Sequence, residues 1–318
     1  MSVPENLYAE TKMYYFLYLF TFLMIVMGNF LSSVYFGIGN MTKIFIIKMI
    51  NPVITLISAY VMIALFGMKI AGVALVTAPA SIAISFLVLI FIFRENKGLN
   101  YKLNFEFIAK NVKKLAVNGF IYALRTVIIA GGYLCVSIVI NRTMSENFIA
   151  AFAVELPLTN ILLAIAPSFA LFCIKNKSMG KTENLKKGLK QGIILLCSIA
   201  AIISVIYLFF GNIYYDAIGI KGELRECALY YWRCRSIGII PLAILCSIRY
   251  YMENTGYITL AFFAGVVEGI YTIVCAFVLI PLGGKFFAAS YTSMSFLASA
   301  LYCVVAYLIK FKNNHNCQ

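Results

Sequence analysis

Apolar residues run along this chain in blocks of twenty or so, separated by short polar stretches. About 20 consecutive apolar residues are needed for a helix to cross the hydrocarbon core of a bilayer. Blocks of that length lie near 13–34, 44–66, 70–93, 116–140, 148–174, 190–211, 227–250, 258–282 and 286–309. The pattern predicts an all-α polytopic membrane protein of about nine transmembrane helices. The joins at Gly67–Lys69 and Gly283–Lys285 read as tight turns. The stretches 94–114 and 175–189 read as longer polar loops.

Composition sharpens this picture. Of the 318 residues, 63% are hydrophobic and 12% charged, with a mean hydropathy of +0.92. A soluble core cannot hide that much apolar surface, because too much of it stays outside on surface-to-volume grounds. The net charge of +14 therefore bears on topology before it bears on a partner such as nucleic acid, which is not expected. Fourteen basic residues fall in three regions: Arg94, Lys97, Lys102, Lys110, Lys113 and Lys114; Lys175, Lys177, Lys181, Lys186, Lys187 and Lys190; and Lys310 and Lys312. With nine spans these regions share one side. The alternate loops hold five: Lys69, Arg142, Lys221, Arg225 and Lys285. The positive-inside rule then places the C-terminus in the cytoplasm of a multi-pass cell-membrane protein. No cleavable leader is expected, since the first ten residues are polar and the first apolar block lacks a basic leader and a small-residue cleavage site.

An internal repeat adds to this. A shift of 217 positions overlays residues 5–96 on 222–313 without a gap, so that Gly39 meets Gly256 and Gly67 meets Gly284. Each copy holds three spans, and the copies start six spans apart, in the same orientation. Duplicated helical units of this kind are a feature of transporters. If the unit is six spans, the first copy shows only its last three. A counterpart of roughly 100–130 residues is then expected before Met1 (three spans with their connections).

Several stretches carry a family resemblance. They are Phe66-Gly-Met-Lys-Ile-Ala-Gly-Val-Ala-Leu-Val-Thr77, Phe148-Ile-Ala-Ala-Phe152, Met179-Gly-Lys-Thr-Glu-Asn-Leu-Lys-Lys-Gly188 and the turn Asn254-Thr-Gly256. In order and spacing the chain resembles helices four to twelve of the multidrug and toxic compound extrusion (MATE) family of cation-coupled antiporters. The resemblance implies a two-lobe bundle with a truncated first lobe. Residues 1–96 would be the last three helices of the N-lobe and 97–115 a cytoplasmic inter-lobe loop. Residues 116–312 would be a six-helix C-lobe and 313–318 a polar tail. The chain departs from the family pattern in its seventh-helix equivalent, where Arg125 and Thr126 stand in the neighbourhood of a cation-binding carboxylate. In the fifth-helix equivalent, Thr55 and Ala59 replace a common Asn and Asp.

Ionisable residues inside apolar blocks are the candidate site, because a charge at the membrane centre costs at least about 2.5–3.5 kcal/mol on insertion scales. Glu155 stands two residues before Pro157, whose ring frees a backbone carbonyl that would share a cation or proton; the plainer reading is a helix end wetted by a carboxylate. Glu268 lies mid-span between Gly265 and Gly269, facing a cation or substrate, or else pairing with an arginine such as Arg249. Arg125, mid-span, would bind an anionic group or hold Glu155 ionised, or form a structural ion pair. Asn160 is one turn from Glu155 and completes the set of coupling-cation or substrate candidates. The aromatics Tyr230, Tyr231 and Trp232 read as an interfacial belt, with Arg233 and Arg235 snorkelling from it.

No catalytic residues, metal ligands or cofactors are expected. The nine cysteines are scattered without a CxxC pair, His315 is the one histidine, and there is no phosphate-binding glycine loop. The function the resemblance implies is secondary active transport: Na+ or H+-coupled efflux of drugs or amphipathic compounds by alternating access. Its partners would be the lipid bilayer and a small organic substrate, with N-terminal helices or a partner protein supplying what the first lobe lacks. The alternatives are a flippase for lipid-linked oligosaccharides, in which Arg125, Arg233, Arg235 and Arg249 contact a pyrophosphate, and an inactive truncated product. The topology is directly testable. A green fluorescent protein fused after Gln318 is expected to fluoresce in a bacterial host, and an alkaline phosphatase fused there to be inactive; the opposite pair of results overturns the assignment.

Overall fold

The structure is a computed structural model. It describes residues 8–37, 50, 53–55, 57–95, 105–153 and 182–312, with positions 159, 162, 163, 165, 166, 169, 172, 173, 176 and 180 between them. All regular structure among them is helical. The chain divides into two compact units, Met1–Asn104 and Phe105–Gln318.

In the first unit α1 (Tyr8–Gly37) packs against α2 (Lys69–Leu75) and α3 (Ala78–Glu95). The buried Thr21 hydroxyl donates to the carbonyl of Ala74 at 2.9 Å. Only 11% of the apolar stretch Thr11–Leu31 is buried. A helix apolar on nearly every side with so little of it covered requires an apolar solvent. The 70–93 block, expected as one span, is two helices with a turn at Val76–Thr77. Pro79, the second residue of α3, has no amide hydrogen for the carbonyl of Leu75, so the ladder breaks there.

The second unit begins with α4 (Phe105–Thr143), a helix of 39 residues. Helix therefore replaces the loop expected up to residue 115. No Gly or Pro interrupts 105–118, and Phe105, Ile108, Val112 and Leu115 recur at helical spacing. Then follow α5 (Glu146–Ala153), α6 (Thr182–Phe209), α7 (Gly211–Ala217), α8 (Gly222–Ser236), α9 (Ile239–Thr255) and α10 (Ile258–Val274). A π-helical stretch, Cys275–Leu279, leads into α11 (Ile280–Gly283) and α12 (Lys285–Tyr307). Among the described residues, five helices are long and apolar enough to cross a membrane, or six if the pair α8 and α9 is one span. The expected spans 44–66 and 148–174 run across residues outside the described set.

The α8–α9 pair bends by 42°. Pro241 withholds the hydrogen that the carbonyl of Ile237 would accept. At the same bend α12 supplies a side-chain donor: the Ser293 hydroxyl lies 2.8 Å from the carbonyl of Cys234, to which it donates, and 3.2 Å from that of Arg235, which also accepts from the Gly238 amide. The expected aromatic belt is not one. Trp232 is 1% and Tyr231 2% exposed, and the indole stacks on Tyr214 with ring centroids 5.2 Å apart and also touches Tyr207 and Tyr215. The bend turns this face of α8 into the bundle and leaves Arg233 exposed.

Packing is closest between α4 and α10. A Cβ at Gly132 would stand 3.0 Å from Thr272 Cβ and 3.1 Å from the carbonyl of Gly269, and one at Gly269 would meet Ile128. Gly269→Ala is expected to lower stability by about 1–3 kcal/mol, the usual range for overpacking. Gly119→Ala, on an exposed part of α4 with no heavy atom within 4 Å, is expected to be neutral or mildly stabilising. Thermal unfolding of the two variants in detergent separates them; equal melting temperatures would overturn the close approach.

Candidate functional site

A charge inside an apolar bundle persists when a counter-charge lies within reach, since isolated burial costs several kcal/mol. Among the described residues of the second unit, four such side chains are brought together by three helices. On α10 the residues Gly265, Glu268, Gly269 and Thr272 recur at i, i+3, i+4 and i+7, all buried. On α9 the residues Cys246, Arg249 and Glu253 follow the same spacing. Arg125 and Tyr133 come from α4.

Two ion pairs result, of different quality. Arg125 Nη1 donates a hydrogen bond to Glu253 Oε1, and the two side chains are 15% and 5% exposed. The guanidinium also sits 5.0 Å from the Tyr122 ring centroid, within cation–π range. Arg249 Nη1 stands 4.0 Å from Glu268 Oε2, with exposures of 13% and 5%. That separation is ionic contact without a hydrogen bond. Among the described residues the buried Nε of Arg249 has no hydrogen-bond partner. The Tyr133 hydroxyl completes the second pair by donating to Glu268 Oε1 at 3.0 Å. Two arginines and two glutamates leave the set electrically neutral, with one tight pair and one loose one.

Glu268 lies ten residues into α10, about 15 Å along it, near the middle of the 26-residue apolar stretch Ile258–Gly283. An aromatic wall adjoins it. Tyr133 meets Tyr291 edge-on at 5.9 Å, Tyr291 lies 6.3 Å from Phe152, and Phe152 lies 5.5 Å from Tyr231.

Of the four residues expected from sequence, Arg125 and Glu268 fall in this one network, each against a different partner. Glu155 and Asn160 lie outside the described residues. Glu253 and Tyr133 were not foreseen. Glu253 sits three residues before the Gly256 turn and reads as part of a loop, yet it is 8% exposed. Its one sequence signal is the spacing of four from Arg249, which puts both on one helix face. Tyr133 is one of 21 tyrosines and carries no signal. No group of three or more His, Cys, Asp or Glu suited to a metal occurs among the described residues.

Comparison with known proteins places the fold. A family model described as MatE matches residues 122–282. A single-residue mutant of the Vibrio cholerae MATE transporter VcmN superposes with a TM-score of 0.79 at 15% identity, covering 98% of this chain and 72% of that one. VcmN in a bent form gives 0.75 at 15% identity, with the same coverage. An outward-facing multidrug resistance MATE family transporter of the MOP superfamily gives 0.75 at 13% identity, covering 93% and 67%. No curated protein matches the sequence significantly.

The tight pair has a measurable signature. Glu253→Met or Arg125→Met alone strands the other charge and is expected to destabilise the protein by about 3–5 kcal/mol, whereas replacing both by Met restores most of that loss. Thermal unfolding of the two single variants and the double variant measures the coupling; additive losses would overturn the pairing.

Proposed function

This chain belongs to the MatE family and is a multi-pass membrane transporter, not an enzyme, and from that premise we propose that it exports amphipathic compounds across the cell membrane, driven by H+ or Na+ through the buried charge network of its second unit. The loose pair Arg249–Glu268 carries this reading. A coupling ion must find a carboxylate that it can neutralise and later release. Glu253 is already held by a hydrogen-bonded guanidinium. Glu268 has one oxygen bonded to Tyr133 and the other in ionic contact alone.

A proton or Na+ arriving at Glu268 would replace Arg249 as its counter-charge. Arg249 would then carry an uncompensated charge in an apolar bundle, the kind of cost that drives a helix to a second position. Glu253, on the same face of α9 one turn away, is the acceptor within reach. Coupling by alternating access follows if substrate binding favours one of these pairings and the ion the other. The half-buried rings of Tyr133 and Phe152, at the edge of this wall, would offer flat apolar faces to an amphipathic substrate when the helices part.

The flippase reading calls for arginines free to grip a pyrophosphate. Arg125 and Arg249 each face a glutamate, which favours the antiporter. Reconstitution into vesicles tests the proposal, with efflux of a cationic dye followed under an imposed pH or Na+ gradient. Glu268→Gln is expected to lower gradient-driven efflux by about tenfold or more, as for loss of an essential protonation site, with dye binding retained. Efflux that keeps its gradient dependence in this variant would sink Glu268 as the coupling site. A wild-type chain that moves no dye under either gradient would favour the inactive-product reading.

A further inference from the structure

Away from the charge network, one concave feature of the second unit has no role in transport as described. It is a groove of about 270 Å³ on the first turns of α6. Phe169 and Phe172 stack at 6.3 Å and nearly parallel, and their rings lie against Gly188 and Gly192 of α6. Gln191 and Leu195 also line it.

The groove is polar at one end and apolar at the other. Along α6 the positions Asn184, Lys187, Gln191 and Leu195 follow one another at intervals of three and four, and all four are exposed. Lys187 is also where the apolar span of α6 begins, Lys187–Phe209, with mean hydropathy 2.7. Headgroup level therefore lies between Asn184 and Lys190, the last charged residue of α6. The opening of α6, Thr182–Lys190, holds three lysines and one glutamate.

We propose that this groove is a binding site for one anionic phospholipid, its headgroup at Lys187 and an acyl chain laid along the open side of Phe169, Phe172 and Leu195. The charge of the segment selects an anionic headgroup over a zwitterionic one, since basic clusters at the membrane edge attract acidic lipids. Gly188 and Gly192 let the two rings seat directly on the backbone of α6, where a Cβ would strike them, so the rings form the apolar floor on which a methylene chain can lie. A phosphate without a chain would use only the polar end.

Native mass spectrometry of the full purified chain tests this, with phosphatidylglycerol and phosphatidylcholine supplied in equal amounts. The expected result is retention of phosphatidylglycerol over phosphatidylcholine by about fivefold, the effect of one basic contact with an acidic lipid. Lys187→Ala is expected to remove that preference, and Leu195→Trp to lower retention of both lipids by filling the groove from its rim. Both residues are exposed, so the fold is not at stake. Lys221→Ala, an exposed lysine at the start of α8, is the control and should change nothing. Equal retention of the two lipids, unchanged retention in both groove variants, or glycerol phosphate bound as well as the whole lipid would each overturn the site.

Discussion

A guanidinium or carboxylate inside hydrocarbon must be matched there, and the second unit is organised around that requirement. Arg125 reaches from α4 to Glu253 on α9, and Arg249 on α9 faces Glu268 on α10. Three helices are tied by charges that cannot be released singly without several kcal/mol of penalty. The small residues Gly132, Gly265 and Gly269 let α4 and α10 approach closely enough for Tyr133 to bond Glu268 and for the Arg125 stem to lie over Gly265 as its head reaches Glu253. Packing and pairing are thus one constraint: a thicker interface would part the charges, and unpaired charges would part the helices.

Proline poses the same accounting problem for the backbone. In a bilayer an unpaired carbonyl has no water to turn to. The break before Pro79 gives a turn between α2 and α3, and the break before Pro241 gives the bend between α8 and α9, where the Ser293 hydroxyl donates to the Cys234 carbonyl at the end of α8. That bend swings Tyr231 and Trp232 inward, so a run of aromatics that looks interfacial becomes core. The internal repeat has a backbone counterpart as well. Gly67 and Gly284, 217 positions apart, both adopt positive φ, at 62° and 57°, and each follows soon after a π-helical stretch, Tyr60–Leu65 or Cys275–Leu279. A left-handed residue is cheap only for glycine, which gives this one match more weight than an aliphatic one.

A transporter needs charges that are stable yet exchangeable. On the proposed reading the network divides these duties: the hydrogen-bonded pair on α4 and α9 would anchor, and the longer pair, steadied by Tyr133, would be the one an ion enters. Arg249 of the loose pair has a second carboxylate, Glu253, one turn away on its own helix, which would give the exchange a short path.

Hydrophobic block length and charge placement made the class of this protein legible from sequence alone, because insertion in lipid is decided by local runs of about twenty residues. The same reasoning picked out Arg125 and Glu268, since a lone charge within such a run is conspicuous whatever surrounds it. It misjudged the start of α4, where an amphipathic helix begins in a polar-looking stretch, and the belt at Trp232, where a bend changes which side faces lipid. It also offered Arg249 as a partner for Glu268, which lies in ionic contact with it in the fold, but the other partners were beyond its reach for a different reason. Arg125 and Glu253 are 128 positions apart and Tyr133 and Glu268 135. Which charges meet depends on which helices pack and in what rotation, and only the folded bundle decides that.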